Sequence, residues 1–184
     1  MRIEEWDARY RAGERAGEDL SAPPSPLVVR FAAKLEPGKA LDLACGSGRN
    51  AIWLAERGWD VTAVDGSAAA IEIVRRRASI HTEVADLERL EFHIEPGSYD
   101  LICKCYYLQR SLIPAVLKGV LTGGMAIVIV HLAEAGEETT YKHAVPGELH
   151  SFFEGWEILH DYEGASRDPA HKRSVAEIVA RKGR

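Results

Sequence analysis

Cysteine, long apolar runs and an excess of basic residues are scarce or missing in this sequence, and each absence excludes a class of protein. The three cysteines are an odd number and cannot pair evenly, so we expect a reducing, cytoplasmic environment. The longest apolar run, Met125 to Val130, is far too short to cross a bilayer, so we expect no membrane partner. The opening residues MRIEEWDARYR lack the apolar core of a signal peptide.

The charge balance is slightly acidic, with a formal net charge of −5 and a pI near 5.8. A nucleic-acid-binding protein usually carries a basic excess, so we expect a small-molecule substrate and no nucleic acid. The 184 residues and the 46% apolar content suit one globular domain, and we assign residues 1–184 to it. Cys103 and Cys105 have no further cysteine or clustered histidine nearby, so we expect no metal.

The stretch from Lys39 to Ser67 predicts a strand, a glycine turn, a helix and a second strand. Ala40 to Leu43 is a short apolar run that Gly46-Ser47-Gly48 interrupts, and Val61 to Val64 is a second apolar run that ends at Asp65. This pattern is one βαβ unit, whose first turn needs glycine where the backbone approaches a ligand closely. Asp65 follows at the interval typical of a carboxylate that binds ribose hydroxyls.

Asp42 lies at the end of the first predicted strand, shortly before the glycines. The spacing Gly46-x-Gly48-x-x-Ala51 also fits the dinucleotide fingerprint, so the glycines alone leave an NAD-dependent oxidoreductase open. A pyrophosphate favours positive surroundings, and a carboxylate beside it would cost about 1 to 4 kcal/mol. S-adenosylmethionine (SAM) carries a sulfonium and an ammonium group and no phosphate, so Asp42 favours SAM.

The pattern Asp42-x-Ala44-x-Gly46-x-Gly48 resembles motif I of the class I SAM-dependent methyltransferases, with Ala44 at the usual first glycine. The resemblance implies an α/β fold: a doubly wound, seven-stranded mixed sheet whose last strand is antiparallel, within a three-layer sandwich. It also implies that Asp86 binds the adenine amino group and that the backbone of Leu87 contacts the ring, although Asp86 could instead cap a turn. The cofactor-binding residues that it implies are Asp42, Ala44, Gly46, Gly48, Asn50, Asp65, Gly66, Asp86, Leu87 and Cys103.

Residues 1–24 precede this unit, and Trp6 and Tyr10 recur within them at helical spacing. We expect a helix that either packs its aromatic side chains on the domain or forms a lid that excludes water during methyl transfer. The Trp-x-x-x-Tyr pattern and the later segment Pro146-Gly147-Glu148-Leu149 resemble the tellurite-resistance and thiopurine methyltransferase branch.

The second half of the chain predicts four further strands, a turn and two polar connections. The expected strands are Tyr99 to Cys103, Met125 to Val130 and Trp156 to Leu159, and a closing strand runs from Ser174 to Ala180. The expected turn is Leu121 to Gly124, and the expected connections are Glu134 to Tyr141 and Glu163 to Lys172.

Ligands of open α/β sheets bind outside the carboxyl ends of the strands. Tyr106 and Arg110 follow the fourth predicted strand, and they are candidate substrate contacts together with Trp6 and Tyr10, although Tyr106 could equally cover the next helix. His131 ends the fifth strand and is either a base or a structural histidine. No catalytic residue is assigned.

A sulfonium methyl group is already activated, so its transfer depends mainly on holding a nucleophile in line with it. A thiol, or a reduced tellurium or selenium species, needs little help from a general base, and no base motif is visible here. We therefore expect a methyltransferase that acts on a small molecule, possibly a soft nucleophile by resemblance to the branch. Two alternatives are an NAD-dependent oxidoreductase and a SAM-binding protein without catalysis.

Overall fold

The computed structural model describes residues 2–13, 22–134, 136 and 142–183. The connection expected at Glu134 to Tyr141 lies largely outside these residues. The helices are α1 (Ile3–Arg11), α2 (Pro26–Ala32), α3 (Arg49–Ala55), α4 (Ala68–Arg77), α5 (Ile113–Gly119) and α6 (Glu148–Ser151), with a 3-10 turn at Arg110–Leu112. The strands are β1 (Lys39–Leu43), β2 (Asp60–Asp65), β3 (His81–Val84), β4 (Tyr99–Cys105), β5 (Val120–His131), β6 (Glu157–Ala165) and β7 (Ser174–Arg181).

The strands form a seven-stranded sheet in the order β3-β2-β1-β4-β5-β7-β6. β1 pairs with β2, β2 with β3, and β4 with β5 in parallel, whereas β7 runs antiparallel to both β5 and β6. This arrangement confirms the predicted α/β fold with an antiparallel last strand. The chain divides into two compact units, Met1–His93 and Ile94–Arg184, and the assignment of residues 1–184 to one domain stays a prediction.

The first unit contains the βαβ arrangement that the sequence predicts. β1 is almost wholly buried after its first residue, as its continuous apolar run requires for a strand covered on both faces. α4 begins after Ser67, whose hydroxyl accepts a hydrogen bond from the Ala70 backbone N–H at 3.1 Å, so Ser67 is the N-cap of this helix. Three arginines occupy the last turn of α4, where they complement the helix dipole.

α2 begins with Ser25 at the N-cap position and Pro26 in the first turn, a common start for a helix. The Ser25 hydroxyl makes no capping hydrogen bond, however, and its oxygen is buried without a partner among the described residues. The Ser25 backbone N–H instead donates to the side-chain oxygen of Asn50 at 2.8 Å. This buried bond connects the start of α2 to the first turn of α3.

β4 and β5 in the second unit are both longer than the sequence predicts. β4 continues two residues past Cys103 to Cys105, so the expectation that Cys103 ends this strand is wrong. β5 already begins at Val120, and the turn expected at Leu121 to Gly124 is therefore wrong too. The glycines remain paired because the Gly123 N–H donates to the Lys182 carbonyl and the Lys182 N–H donates to the Gly124 carbonyl, each at 2.9 Å.

β6 extends from Glu157 to Ala165, although the sequence predicts a strand that stops at Leu159. Its later residues alternate between exposed and half-buried positions, and they pair with β7 as far as Ala165 and Ser174. An edge strand tolerates polar side chains on its solvent face, so the amino-acid sequence of such a strand can be as polar as that of a loop. The charged connection accordingly starts after Ala165 rather than at Glu163.

Candidate functional site

Asp42, near the end of β1, is a carboxylate buried to 2% exposure. Among the described residues its Oδ2 atom has no hydrogen-bond partner, whereas the carboxylate accepts a bond from the Ala51 backbone in the first turn of α3. Burial raises the pKa of Asp42 from 3.8 to about 7; the Ala51 bond and the charge of Arg49 oppose the rise, and the charge of Asp65 adds to it. An unsatisfied buried oxygen in a native site points to a missing donor or cation.

The turn after β1 places three residues in the left-handed region, with φ of +54° at Ala44, +55° at Gly46 and +83° at Gly48. A Cβ at Gly48 would lie 2.7 Å from the Cγ2 atom of Val74 on α4, so only glycine lets the turn and α4 approach this closely. Ala44 occupies a left-handed position at a steric cost, because the same turn demands that backbone geometry.

Asp65, the last residue of β2, connects the two turns of the βαβ unit. Its Oδ2 accepts a hydrogen bond from the Gly46 N–H at 2.9 Å, and its Oδ1 accepts from the Ser67 N–H at 2.8 Å. The side chain is half-buried rather than enclosed. The predicted ribose carboxylate therefore lies directly at the glycine turn, with its orientation fixed by two backbone donors.

Helix α1 covers the corner that follows Asp65. Ile3 packs on Gly66 so closely that a Cβ there would lie 2.7 Å from the Ile3 Cδ1 atom. Tyr10 is buried at 8% exposure, while Trp6 is half-buried with the Arg9 guanidinium 5.6 Å from its ring centroid. The N-terminal aromatic residues thus belong to a helix that packs on the domain.

Asn50, Asp86 and Leu87 occupy the remaining positions of the candidate cofactor site in the first unit. Asn50 is buried, and its side-chain oxygen accepts the Ser25 bond described above. The Asp86 Oδ1 accepts from the backbone N–H groups of Glu88 and Arg89 at 2.9 and 3.2 Å, so it caps the turn after β3. Leu87 is buried at 4% exposure. The turn cap was the alternative role for Asp86, and it leaves adenine recognition as a prediction.

Cys103 and Lys104 lie in the second unit, within β4. Cys103 is fully buried and pairs with Ile127 of β5, so it is an interior residue of the strand. Lys104 is also fully buried, and its ammonium group donates to the Tyr107 carbonyl. Burial lowers the pKa of Lys104 from 10.5 to about 7. Lys104 could have been noticed in the sequence as a single charged residue within the apolar run LICKC.

Tyr106 directly follows β4 and has a φ of +61°, which is unusual for a residue with a large side chain. Its hydroxyl donates to the Asp168 carboxylate at 2.9 Å, and its ring stacks on His171 with the centroids 3.4 Å apart. The ring also lies 5.4 Å from that of His131, whose own ring is 6.4 Å from that of His143. Tyr106 thus belongs to a cluster of aromatic and imidazole rings.

His131 ends β5, as predicted, and its Nδ1 atom is buried without a hydrogen-bond partner among the described residues. Burial, and to a smaller extent the nearby charges of His143 and Arg173, lower the pKa of His131 from 6.5 to about 4, although a backbone bond to Ser174 opposes them. The imidazole is therefore neutral at physiological pH. A base with so low a pKa accepts protons poorly near neutrality.

Arg110 lies at the start of the 3-10 turn and forms an ion pair with Glu148 of α6. Its Nη2 donates to the Glu148 Oε2 at 2.9 Å and to the His143 carbonyl at 3.2 Å. The bond from Arg110 lowers the pKa of Glu148, so both groups are charged and balance each other.

Within the described ranges, no group of three or more His, Cys, Asp or Glu is arranged to bind a metal. The helices of this part of the chain also include none suited to spanning a bilayer.

Comparison with known proteins identifies similar chains by sequence and by fold. The family model described as "Tellurite resistance protein TehB" matches residues 23–173. The "Probable S-adenosyl-L-methionine-dependent methyltransferase TehB" of Haemophilus influenzae is 25% identical over 147 residues, which cover 72% of this chain and 50% of that protein. The chain therefore spans about half the length of the curated relatives it matches.

Two solved structures show the same fold. The crystal structure of TehB from Haemophilus influenzae has a TM-score of 0.68 at 25% identity, covering 84% of this chain and 61% of that one. The Burkholderia thailandensis 1,6-didemethyltoxoflavin-N1-methyltransferase with bound 1,6-didemethyltoxoflavin and S-adenosylhomocysteine has a TM-score of 0.72 at 16% identity, covering 99% and 87%. At that identity the second likeness shows the fold alone.

The fold and these relatives define the class as the class I SAM-dependent methyltransferases, whose cofactor is SAM. Within that class, the chain belongs to the TehB family, because the family model matches most of its length. The predicted resemblance to the tellurite-resistance family is thereby confirmed.

Proposed function

We propose that this chain transfers a methyl group from SAM to a small-molecule acceptor. The observation that carries the proposal is the buried Asp42, whose Oδ2 has no hydrogen-bond partner in the described part of the chain and which lies beside a glycine turn that Asp65 closes. A bound cation would supply the attraction that the Asp42 carboxylate lacks in the protein alone. Family membership supports the same cofactor.

The electrostatic argument separates SAM from a pyrophosphate cofactor. The rise in the pKa of Asp42 from 3.8 to about 7 means that ionising this carboxyl costs roughly 4 kcal/mol more in the folded protein than in water, at about 1.4 kcal/mol for each pKa unit. A nearby positive charge would recover part of this cost by favouring the ionised carboxylate, whereas a pyrophosphate would increase it. An NAD-dependent oxidoreductase therefore requires Asp42 to stay protonated.

In the proposed site, the backbone of Gly46 and Gly48 borders the cofactor and Asp65 binds its ribose hydroxyls. The Asp65 carboxylate is half-buried rather than enclosed, and a carboxylate oxygen can accept up to two hydrogen bonds. Asp86 and Leu87 follow the next strand, where the resemblance assigns adenine. When bound, SAM supplies an activated sulfonium methyl group, and the protein's contribution is orientation and exclusion of water.

The second unit supports an acceptor that needs no deprotonation by the protein. His131 is too weak a base at neutral pH, and the charge of Arg110 is balanced by Glu148 rather than offered to an oxyanion. Thiolates and reduced tellurium or selenium species are nucleophilic without a general base. We therefore infer a soft nucleophile as acceptor, a small molecule rather than a nucleic acid or a membrane lipid, consistent with the net charge of −5.

Two measurements test this function. Titration calorimetry with SAM and NAD side by side should detect SAM binding alone, and NAD binding without SAM binding would support the oxidoreductase. Incubation with labelled SAM and a panel of thiols, tellurite, selenite, phenols and amines should label the sulfur, tellurium or selenium acceptors. Labelling of only oxygen or nitrogen acceptors would contradict the soft-nucleophile proposal. Tight SAM binding without S-adenosylhomocysteine production from any acceptor would support a non-catalytic binding protein.

A further inference from the structure

Asp7 on α1 is bonded to the turn that follows β2, although about 60 residues separate the two in sequence. Its Oδ1 atom accepts a hydrogen bond from the Ser67 hydroxyl at 2.9 Å and another from the Ala69 backbone N–H at 2.8 Å. Its other oxygen, Oδ2, lies 2.6 Å from the Arg11 Nε atom one turn along the same helix. Each carboxylate oxygen of Asp7 thus has a defined partner.

Ser67 connects Asp7 to Asp65. Its backbone N–H donates to the Asp65 Oδ1 at 2.8 Å, while its hydroxyl donates to Asp7 and accepts from Ala70. The Asp65 Oδ2 in turn accepts from the Gly46 N–H. A continuous chain of charge-assisted hydrogen bonds therefore runs from α1 through the β2–α4 turn to the glycine turn.

We propose that Asp7 is a positioning residue for the cofactor ribose: it fixes Ser67, and through Ser67 it fixes the orientation of the Asp65 carboxylate. The inference rests on the proposed function, because it assigns Asp65 to the ribose hydroxyls. α1 then contributes to cofactor affinity through a side chain that does not itself touch the ribose.

Three observations favour this role over a simple attachment of α1. The Ser67 side chain already caps α4, because its hydroxyl accepts a hydrogen bond from a backbone N–H of the first turn, so this helix is capped without Asp7. Ile3 attaches α1 independently, by packing on Gly66. The hydrogen bond from Ala69 and the ion pair with Arg11 lower the pKa of Asp7, so its charge persists throughout the neutral range.

The experiment compares Asp7→Ala with Asp7→Asn, because the asparagine side chain keeps an acceptor oxygen for Ser67 and Ala69. Glu4→Gln is the matched control, since it neutralises an exposed carboxylate of the same helix. Calorimetry measures the affinity of each protein for S-adenosylhomocysteine and for an analogue whose ribose lacks both hydroxyls. Thermal unfolding of each variant is recorded in parallel.

We expect Asp7→Ala to weaken S-adenosylhomocysteine binding by roughly three- to thirtyfold, the range for loss of one supporting charged hydrogen bond. The affinity of Asp7→Ala for the analogue whose ribose lacks both hydroxyls should match that of the wild type. Asp7→Asn should recover most of the lost affinity for S-adenosylhomocysteine. Adding Asp65→Ala to Asp7→Ala should cause less than the sum of the two separate losses.

Equal losses for both ligands would overturn the proposal and assign α1 a general structural role, whatever the change in thermal stability. Unchanged affinity in Asp7→Ala would overturn it as well, while leaving the proposed function intact. A wild-type protein that binds neither SAM nor S-adenosylhomocysteine would overturn the proposed function, and this inference with it.

Discussion

The Asp65 carboxylate accepts a hydrogen bond from the backbone N–H of Gly46 at 2.9 Å, which joins the end of β2 to the turn after β1. The two residues are 19 apart in sequence. Asp65 supplies the carboxylate, and the backbone of Gly46 lies in the left-handed region. The bond means that the acidic residue assigned to the ribose also shapes the glycine turn. Substitution at Asp65 should therefore change ligand affinity and stability together.

Asp65→Ala should weaken S-adenosylhomocysteine binding by about 1 to 3 kcal/mol, because charge-assisted bonds to the ribose are lost. Two backbone donors, on Gly46 and Ser67, also lose their partner, so the free energy of unfolding should fall. Calorimetry and chemical unfolding measure the two effects. Asp65→Asn is the comparison that keeps one acceptor oxygen and should be less destabilising. An unchanged affinity in Asp65→Ala would mean that the ribose is bound elsewhere.

Gly48→Ala should destabilise the protein by roughly 2 to 4 kcal/mol, from the left-handed backbone and the clash with Val74 together. Gly97→Ala is the matched control, because Gly97 also has a positive φ but nothing lies within 4 Å of its Cβ position. Adding Val74→Ala should relieve part of the loss in Gly48→Ala. Equal destabilisation at the two glycines would show that the steric contact is unimportant.

Asp42 should couple SAM binding to proton release. Because the pKa of Asp42 is raised from 3.8 to about 7 in the folded protein, the folded state binds a proton more tightly than the unfolded chain. The resulting contribution to the free energy of unfolding is complete below about pH 4 and is lost as the pH rises through 7. A cationic ligand favours the ionised form, so SAM binding near pH 7 should release about half a proton and tighten between pH 6 and 8.

Calorimetry in buffers of different ionisation enthalpy measures that proton release. Asp42→Asn should abolish it and weaken binding, whereas Asp60→Asn, at an exposed carboxylate of β2, should leave it unchanged. Proton uptake on SAM binding in the wild-type protein would contradict the charge argument for this site.

Lys104→Met should stabilise the protein at pH 7 by roughly 1 to 3 kcal/mol. Above pH 7 the folded protein keeps Lys104 largely neutral while the unfolded chain still binds a proton, so wild-type stability rises from pH 7 toward 10.5. Methionine avoids this cost and fills a similar volume, although the Tyr107 carbonyl loses its donor. Urea unfolding at several pH values should show the advantage shrinking as the pH rises. Lys118→Met, at an exposed lysine of α5, should show no such trend.

The βαβ unit was predictable from sequence because each of its features has a local cause. The first apolar run precedes the glycine turn and the second ends at Asp65, the glycines need positive φ, and Ser67 caps the following helix. The expected ends of β4, β5 and β6 were wrong because pairing with a distant strand decides them. Gly123 and Gly124 look like a turn, yet they remain paired with Lys182, some 60 residues later.

The contacts of the candidate site were less predictable than the residues in it. Motif I identifies Asp42, and the spacing to the end of the second strand identifies Asp65, but neither signal reveals Asp7, because no local pattern connects that residue with Ser67. The ring cluster at Tyr106 likewise depends on His171, which lies beyond β6 in the sequence. Such contacts depend on the tertiary arrangement, which residue type and spacing do not encode locally.

β6 is the terminal strand of the sheet order, next to β7 on one side only in the described part of the chain. Its outer row of backbone amides and carbonyls is a template to which a strand of another molecule can add. Glu157, Asp161 and Glu163 are exposed along it, and Glu157 pairs with Arg181 and Asp161 with His150, so an added strand of a second copy would have to accommodate these charged pairs and the Glu163 carboxylate. The acidic side chains that make this segment resemble a loop are thereby a barrier to self-association, and neutral substitutes for them would make the protein more prone to aggregation.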